Sequence, residues 1–445
     1  MVTESSLIFR RKVPTLGMEE TGTTEYVVAH LSDLHLGYRD RSSIHQTGID
    51  PLDGSPIPLR ELDGYKAWDA VIDGVINDGV DAVVIAGDIG HEPNPSVRAL
   101  RHMQVGLLRL AEAGIPVHNI TGNHDTNDIR GDIAFTELLH RPDAGIYSHS
   151  QPYKLYHLTD DIALHMVSHH MYTENVEVMS EVNPLPGVVN ILTTHGSLID
   201  PLLKERIKVH DTVREVVIPD SFLNAGWDAM MLGHIHERGY VGDPKQGIFY
   251  NGSLIRRGFS DAEGNMGRGY TLWKFSMKNG VVAGVKREVR SVWQRPQEDL
   301  PPIEASGLDS VALTEAILAN LPTESIDYDP ETAPILRQKV IGAEPAVFAS
   351  RDQSVITHAA SHALSYSLTP QAPKLKPVSL DEDSLSVSEA ILKPAGLEES
   401  YHAWADKSQT LNSVADEDMR RIAYSQGAEY LRRGIEKVFE SNLSA

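Results

Sequence analysis

Residues 116–125 read PVHNITGNHD: a short strand-like run, Pro116–Ile120, opens into Gly122-Asn123-His124-Asp125. The run has strand character, and polar, metal-competent side chains follow it at once. The same arrangement recurs on both sides. Upstream, Tyr26–Leu31 leads into Asp33-Leu34-His35, and Asp81–Ala86 leads into Gly87-Asp88. Downstream, Val188–Thr194 runs through ILTTH to His195, and Trp227–Leu232 ends at Gly233-His234-Ile235-His236. Ile162–Ser168 is a further strand-like run. Tyr65–Asn77 and Ser96–Glu112 carry helical spacing, the second with Pro95-Ser96 as its start signal. Strands alternating with helices predict an α/β layered fold. In such sheets the loops beyond the carboxyl ends of the strands form the ligand crevice. Five segments thus deliver polar side chains to one edge.

The residue types point to metal chemistry. Asp33 and His35, two apart on an extended segment, would share one side, and so would His234 and His236. A carboxylate such as Asp88 can bridge two cations about 3.5–4 Å apart. Carboxylate, imidazole and amide oxygen suit Mn²⁺, Fe or Zn²⁺ better than copper or Ca²⁺. Such cations polarise phosphoryl oxygens and acidify water, so the predicted chemistry is phosphoester hydrolysis. The predicted ligands are Asp33, His35, Asp88, Asn123, His195, His234 and His236. Single fragments are weak: a D-x-H arises by chance about once in a chain this long. His195 alone would more often be a core or surface histidine. The order of all five motifs, each after a strand-like run, carries the inference. His169 and His170 lie outside the series and read as non-ligands. His30, inside a strand run, reads as structural.

Composition narrows the classes. The chain has 445 residues, 41% of them apolar, enough for two or three domains. Its formal net charge is −22, which repels bulk polyanions and argues against a nucleic-acid coat protein. Bound cations can still reverse the sign of charge inside a site, so a nuclease stays open. There is no cysteine, so disulfide and thiolate sites are excluded and the 20 histidines become the candidates. No apolar run reaches membrane-spanning length, and the first residues lack a signal-peptide core. The expectation is a cytoplasmic protein with an N-terminal extension over residues 1–25.

The motifs together resemble those of the calcineurin-like metallophosphoesterases. The resemblance implies a four-layer α/β/β/α sandwich. It implies that one metal takes Asp33, His35, Asp88 and His236, and that the second takes Asp88, Asn123, His195 and His234. It gives His124 the role of a non-ligand histidine that stabilises the transition state or protonates the leaving oxygen. SDLHLGYRDR and GDIGHEPNPSVRAL are more specifically similar to the SbcD-type DNA repair nucleases. In that subfamily a His three residues after the Asp, followed by an Asn/Pro/Ser segment, is tied to exonuclease action. His91, Asn94, Pro95 and Ser96 fit it here, so His91 is a second catalytic candidate. Its alternative is a surface histidine near a helix start. The stretch NGSLIRRGFSDAEGNMGRGYTLWKF resembles the end of the nuclease domain.

The rest of the chain is organised around that domain, expected over residues 26–295. Segments near Gly247–Gly252, Tyr270–Phe275 and Val281–Arg290 read as a closing antiparallel run. WQRPQEDLPP, near Arg295–Pro302, reads as a linker. Beyond it, Asp309–Leu321 reads as helix and Ile335–Val340 as strand. APILRQKVIG resembles the subfamily's small DNA-capping domain, expected over 303–370. A second break falls at Leu368–Asp383. Residues 384–445 read as amphipathic helices, with Ile422, Ala423, Ala428, Leu431 and Ile435 on one face. They would either pack on their own domain or bind a coiled-coil ATPase of the SbcC type. His45–Pro58 is an insertion expected at the rim of the site.

The leading expectation is a Mn²⁺-dependent, two-metal DNA nuclease that works with a coiled-coil ATPase and forms a homodimer as subfamily members do. A phosphodiesterase or phosphatase of small molecules is the alternative, and a non-enzymatic scaffold a third. Arg39, Arg41, Arg98, Arg101, Arg256 and Arg257 lie near the motifs and are either DNA contacts or solvated surface.

Overall fold

The computed structural model describes residues 23–127, 133–173, 176–198, 217–219, 222, 225–241, 247–259, 267–278, 281–322 and 329–372. The chain separates into Met1–Ala372 and Pro373–Ala445. Residues 1–22 of the expected extension and the whole 384–445 tail lie outside the described residues.

The first half builds β1 (Thr23–Leu31), the hairpin β2 (Thr47–Ile49) and β3 (Pro56–Pro58), helix α1 (Leu59–Asp78) and β4 (Ala82–Ile85). Helix α2 (Val97–Glu112), β5 (Val117–Ile120) and β6 (Ile146–His149) follow. Next come β7 (Tyr153–Thr159), β8 (Ile162–Val167), the one-turn helix α3 (His170–Thr173) and β9 (Val189–His195). Then come β10 (Ser197–Leu198), β11 (Val217–Ile218), β12 (Ala229–Gly233), β13 (Gly239–Tyr240) and β14 (Ile248–Tyr250). The long strands β15 (Gly269–Lys278) and β16 (Val281–Ser291) complete the main body.

These strands form two six-stranded mixed sheets, in the orders β16-β15-β1-β4-β5-β6 and β13-β14-β12-β9-β8-β7. Each has four parallel strands at its heart and antiparallel pairing towards an edge. Side chains alternate between layers with the period of two that a strand imposes. Val28, Val84, Ile120, Trp273 and Phe275 of the first sheet pack with Leu164, Ile191, Met231 and Phe249 of the second. Ala29, Leu31, Val83 and Ile85 turn the other way, onto α1 and α2 through Trp68, Val71, Met103 and Leu107. Burial of each such large side chain contributes about 1.5–3 kcal/mol. On the outer face of the second sheet, Leu192, Met230 and Leu232 are packed with Met171, Phe222 and Trp227.

Helix α2 starts as the sequence predicts, with Ser96 Oγ accepting from Ala99 N at 3.2 Å. Helix α1 begins at Leu59, well before the predicted Tyr65. Its first turns carry Arg60, Glu61 and Asp63, which apolar periodicity cannot register, yet all three are buried and paired. The insertion at residues 45–58 is the β2–β3 hairpin, held against α2 by Asp50 with Arg98 (3.1 Å) and His102 (3.1 Å).

Two sequence readings need correction. Ile248–Tyr250 pairs in parallel with β12 in the second sheet, so only β15 and β16 form the antiparallel closing run. WQRPQEDLPP is not a linker: Gln297–Glu304 is a strand, β17. It lies at the edge of a parallel three-stranded sheet with β18 (Ile335–Ile341) and β19 (Ser365–Gln371). Pro301 and Pro302 coincide with a break in register between Leu300 and Ile303, the edge position where missing N–H groups are tolerated. Helices α4 (Ser310–Asn320), α5 (Pro345–Ala349) and α6 (Gln353–Ala359) accompany this sheet, with a core of its own around Ile303, Leu313, Ile317, Val340 and Ile356. The small sheet is tied to α1 through Asp63, which pairs with Arg60 and Arg295, while Arg295 Nη1 donates to the carbonyls of Pro330 and Ala333.

Candidate metal centre

The carboxyl ends of β1, β4, β5, β9 and β12 converge, so that the two packed sheets supply one site. The loop after β1 is stitched to the loop after β4: Asp33 N donates to Gly87 O (3.1 Å), His35 N to Asp88 O (3.0 Å) and His91 N to Leu36 O (3.1 Å). The Asp33 carboxylate receives His234 N at 3.0 and 3.1 Å, joining the first sheet's loop to the second's. Asp88 Oδ1 receives His124 N at 2.8 Å. Two glycines permit this approach. A Cβ on Gly122 would lie 2.2 Å from Asp88 Oδ1, and one on Gly233 would lie 2.0 Å from Ala86 O.

The expectation that Asp33 and His35 share a side of an extended segment fails. β1 ends at Leu31, and both residues adopt left-handed φ, 51° and 46°. Asp88 (φ 55°) and His234 (φ 95°) do the same, and among the described residues no other non-glycine has positive φ. Such backbone is held at a cost of about 1–3 kcal/mol each, and it gathers where a site over-determines it.

The side chains so aimed form overlapping clusters. Ligating atoms of Asp33, His35 and His236 lie within 4.8 Å of one another, as do those of Asp33, Asp88 and His195, and those of His35, His91 and His124. His35 Nε2 is 3.1 Å from His236 Nε2 and 3.7 Å from Asp88 Oδ2. His195 Nε2 is 3.3 Å from Asp88 Oδ2 and 2.9 Å from Asn123 Oδ1, and His234 Nδ1 is 3.1 Å from the same amide oxygen. All seven predicted ligands therefore come together. The donor set fits divalent cations: converging imidazole nitrogens, two buried carboxylates and an amide oxygen have more lone pairs than protons to share among them.

Residues 26–244 match the family model for calcineurin-like phosphoesterases. That segment is a calcineurin-like phosphoesterase domain. Curated relatives include the DNA double-strand break repair protein Mre11 of Haloferax volcanii. It is 28% identical over 249 residues, 56% of this chain and 49% of the relative. Mre11 of Methanococcus maripaludis is 38% identical over 96 residues, 22% of each chain. The chain thus spans about half the length, or less, of these curated relatives. A solved dimetal phosphatase from Danio rerio is 11% identical, covers 59% of this chain and 98% of its own, and superposes with a TM-score of 0.32.

Protonation within the phosphoesterase domain follows the geometry. Burial, with Arg257 and His236 adding to it, holds His35 well below the ordinary histidine range. Burial and His195 take His234 down to about 3. These imidazoles are neutral, the state that metal ligation requires. Burial alone would raise Asp88, but His195 and His124 hold it below the carboxylate range. Burial opposes charge on His195, but Asp88 outweighs it and lifts the group to about 9. His195 Nδ1 lies 2.8 Å from the Ala86 carbonyl, which can only accept, so Nδ1 carries a proton and Nε2 faces the cluster.

Both non-ligand candidates are present. His124 Nδ1 donates to the His91 carbonyl at 2.8 Å, which leaves Nε2 for other work. The His91 ring lies 5.6 Å from His124 and 5.5 Å from His35, and burial and Arg257 take it to about 4. His30 is fully buried and structural, and His169 is buried without joining the clusters.

Three features escaped the sequence. Asp125 accepts from Asp88 N (2.8 Å), Gly122 N (2.9 Å) and Gly90 N (2.9 Å), so one carboxylate ties two ligand loops together. Burial and the Asp88 charge push it up to about 7 against those donors. The acid in GNHD was visible, but its direction was not. Arg238 and Arg268 are both buried, and Arg268 donates to the His236 carbonyl. Of the six arginines near the motifs, Arg39 pairs with Glu61, Arg98 with Asp50 and Arg101 with Asp53. Arg257 reaches the centre's histidines.

Proposed function

We propose that this protein is a two-metal DNA nuclease acting on DNA ends in repair or recombination. The observation that carries the reading is His91. Its ring stands beside His35 and His124, in the centre itself rather than on the surface at a helix start. A generic phosphoesterase does not call for this third histidine. The likeness to Mre11 proteins supports the same reading.

In this reading Asp33, His35, Asp88 and His236 hold one cation, and Asp88, Asn123, His195 and His234 hold the other, with Mn²⁺ as the metal. The bound cations supply neutralisation of the phosphoryl oxygens and an acidified water. His124, with Nδ1 committed to a carbonyl, offers Nε2 to the leaving 3′-oxygen. His91 orients the scissile nucleotide, in keeping with exonuclease action. The three-stranded sheet and its helices serve as the DNA-capping domain, residues 384–445 bind a coiled-coil ATPase of the SbcC type, and the protein works as a homodimer. The two sheets with α1 and α2 make up most of a four-layer α/β/β/α sandwich.

The test is a Mn²⁺-dependent assay on linear duplex and single-stranded DNA, run beside a cyclic nucleotide and a chromogenic ester. The reading expects DNA degradation that His91→Ala impairs more than ester turnover. Small-ester turnover with no action on DNA, alone or with the ATPase, would reject it.

A further inference from the structure

Arg257 stands where a phosphate-binding group is needed. Its Nη2 lies 2.8 Å from Nε2 and 3.0 Å from Nδ1 of His236, and its Nη1 lies 3.3 Å from His91 Nδ1. The guanidinium also sits 6.0 Å from the Tyr38 ring, whose hydroxyl donates to the Arg257 carbonyl at 3.4 Å. The backbone on either side is fixed to the small sheet. Gln297 Nε2 donates to Arg256 O (2.8 Å), Arg256 Nη1 donates to Gln297 O (3.0 Å), and Arg337 Nη2 donates to Phe259 O (2.9 Å). Arg257 therefore projects into the centre from a clamped segment.

A guanidinium only donates, and it stays charged at any relevant pH. The His236 lone pair it faces is one that a ligated cation would take. Like charge then turns the guanidinium away from the cation and towards the strongest acceptor that enters with the substrate. A phosphodiester is that acceptor: it is anionic, and its two non-bridging oxygens match the planar fork.

We propose that Arg257 is a substrate-binding residue that grips the phosphodiester through its non-bridging oxygens, held in place by the small sheet. The proposal rests on the phosphoesterase reading of the centre but not on DNA being the substrate.

The test compares wild type with Arg257→Met and Arg257→Lys, all loaded with Mn²⁺. Calorimetry reads Mn²⁺ affinity and then the affinity for inorganic phosphate. Steady-state kinetics on bis(p-nitrophenyl) phosphate and on a labelled oligonucleotide read KM and kcat separately. Losing one charge-assisted contact predicts that Arg257→Met weakens phosphate binding and raises KM by about 10- to 100-fold. Arg257→Lys should recover part of this, and Mn²⁺ affinity should not fall. Unchanged phosphate affinity and KM in Arg257→Met would overturn the proposal. So would a parallel loss of Mn²⁺ affinity, because Arg257 would then be supporting the ligands. Wild type that cleaves the ester and binds phosphate through Arg257, yet leaves DNA intact, would refute the nuclease reading and uphold this one.

Discussion

Replacing Asp125 with Asn tests whether one buried carboxylate holds the ligand loops in register. Oδ2 accepts from Asp88 N and Gly122 N, and Oδ1 accepts from Gly90 N. An amide fits the space but has only one oxygen. Turned the better way, that oxygen keeps Asp88 N and Gly122 N, and its NH₂ faces the Gly90 N–H. One charge-assisted bond is lost, which costs about 1.5–3 kcal/mol, and a buried donor is left unmet at about 1–3 kcal/mol. The sum, about 2.5–6 kcal/mol, is a large part of a typical domain stability of about 5–15 kcal/mol. The damage falls on Asp88, whose left-handed backbone and ligand carboxylate both depend on this loop. Outer partners of metal ligands characteristically change metal affinity by about 10–100-fold, and that loss is expected for Mn²⁺ in Asp125→Asn. Titration calorimetry checks the affinity, and urea unfolding checks the stability. Wild-type Mn²⁺ affinity in a folded Asp125→Asn protein would show that the loops keep their register without the carboxylate.

Asp63→Asn should destabilise the chain by about 3–5 kcal/mol in urea unfolding, because Arg60 and Arg295, both 3% exposed, lose their common counter-ion; an unchanged midpoint would show that the pair is not load-sharing. Burial, reinforced by His149, lowers His118 to about 3, so the unfolded chain takes up this proton first. Stability is complete above pH 6.5 and falls by about 1.4 kcal/mol per unit as pH drops from 6.5 towards 3, about 2 kcal/mol by pH 5. His118→Phe should flatten the pH profile of unfolding free energy by that slope, and an unaltered profile would discount His118. Mn²⁺ at a hundred times its dissociation constant should stabilise the fold by about 2.7 kcal/mol, and a chelator should remove this; a chelator-indifferent melting temperature would argue against a centre that binds metal only when folded.

The sequence carried the site better than the packing around it. Strands β4, β5, β9 and β12 are short, fully buried runs that end at a polar cluster, so each motif could be placed at a strand end. The division into two sheets was not legible from alternation, because both faces of these strands are buried and nothing local says which face meets which layer. β17 was missed for a related reason. Its two prolines and its charges look like a linker, and only an edge position beside β18 makes them acceptable. The first turns of α1 were missed because buried Arg60, Glu61 and Asp63 read as surface until their partners outside the helix, the Arg256 carbonyl, Arg39 and Arg295, are known. Arg257 could not be sorted from five other arginines, since proximity in sequence does not say which guanidinium finds a carboxylate and which finds the histidines.

The left-handed residues connect these levels. Asp33, His35, Asp88 and His234 would be costly anywhere else in the chain. Here each is locked by a bond from a different loop: Asp33 O receives Leu254 N at 3.1 Å, His35 N donates to Asp88 O at 3.0 Å, Asp88 N reaches Asp125, and His234 N reaches the Asp33 carboxylate. The ligand loops can hold strain only because the loops of both sheets brace one another. The Leu254 bond adds a third brace, because residues 254–259 run from the centre to Gln297 and Arg337 of the small sheet. A displacement of that sheet is therefore passed to Arg257 through Gln297 and Arg337. This coupling predicts that Arg337→Ala, which removes the grip on Phe259, raises KM through Arg257 and leaves Mn²⁺ affinity intact. Calorimetry and steady-state kinetics on one preparation separate the two, and a fall in Mn²⁺ affinity with unchanged KM would break the chain of reasoning.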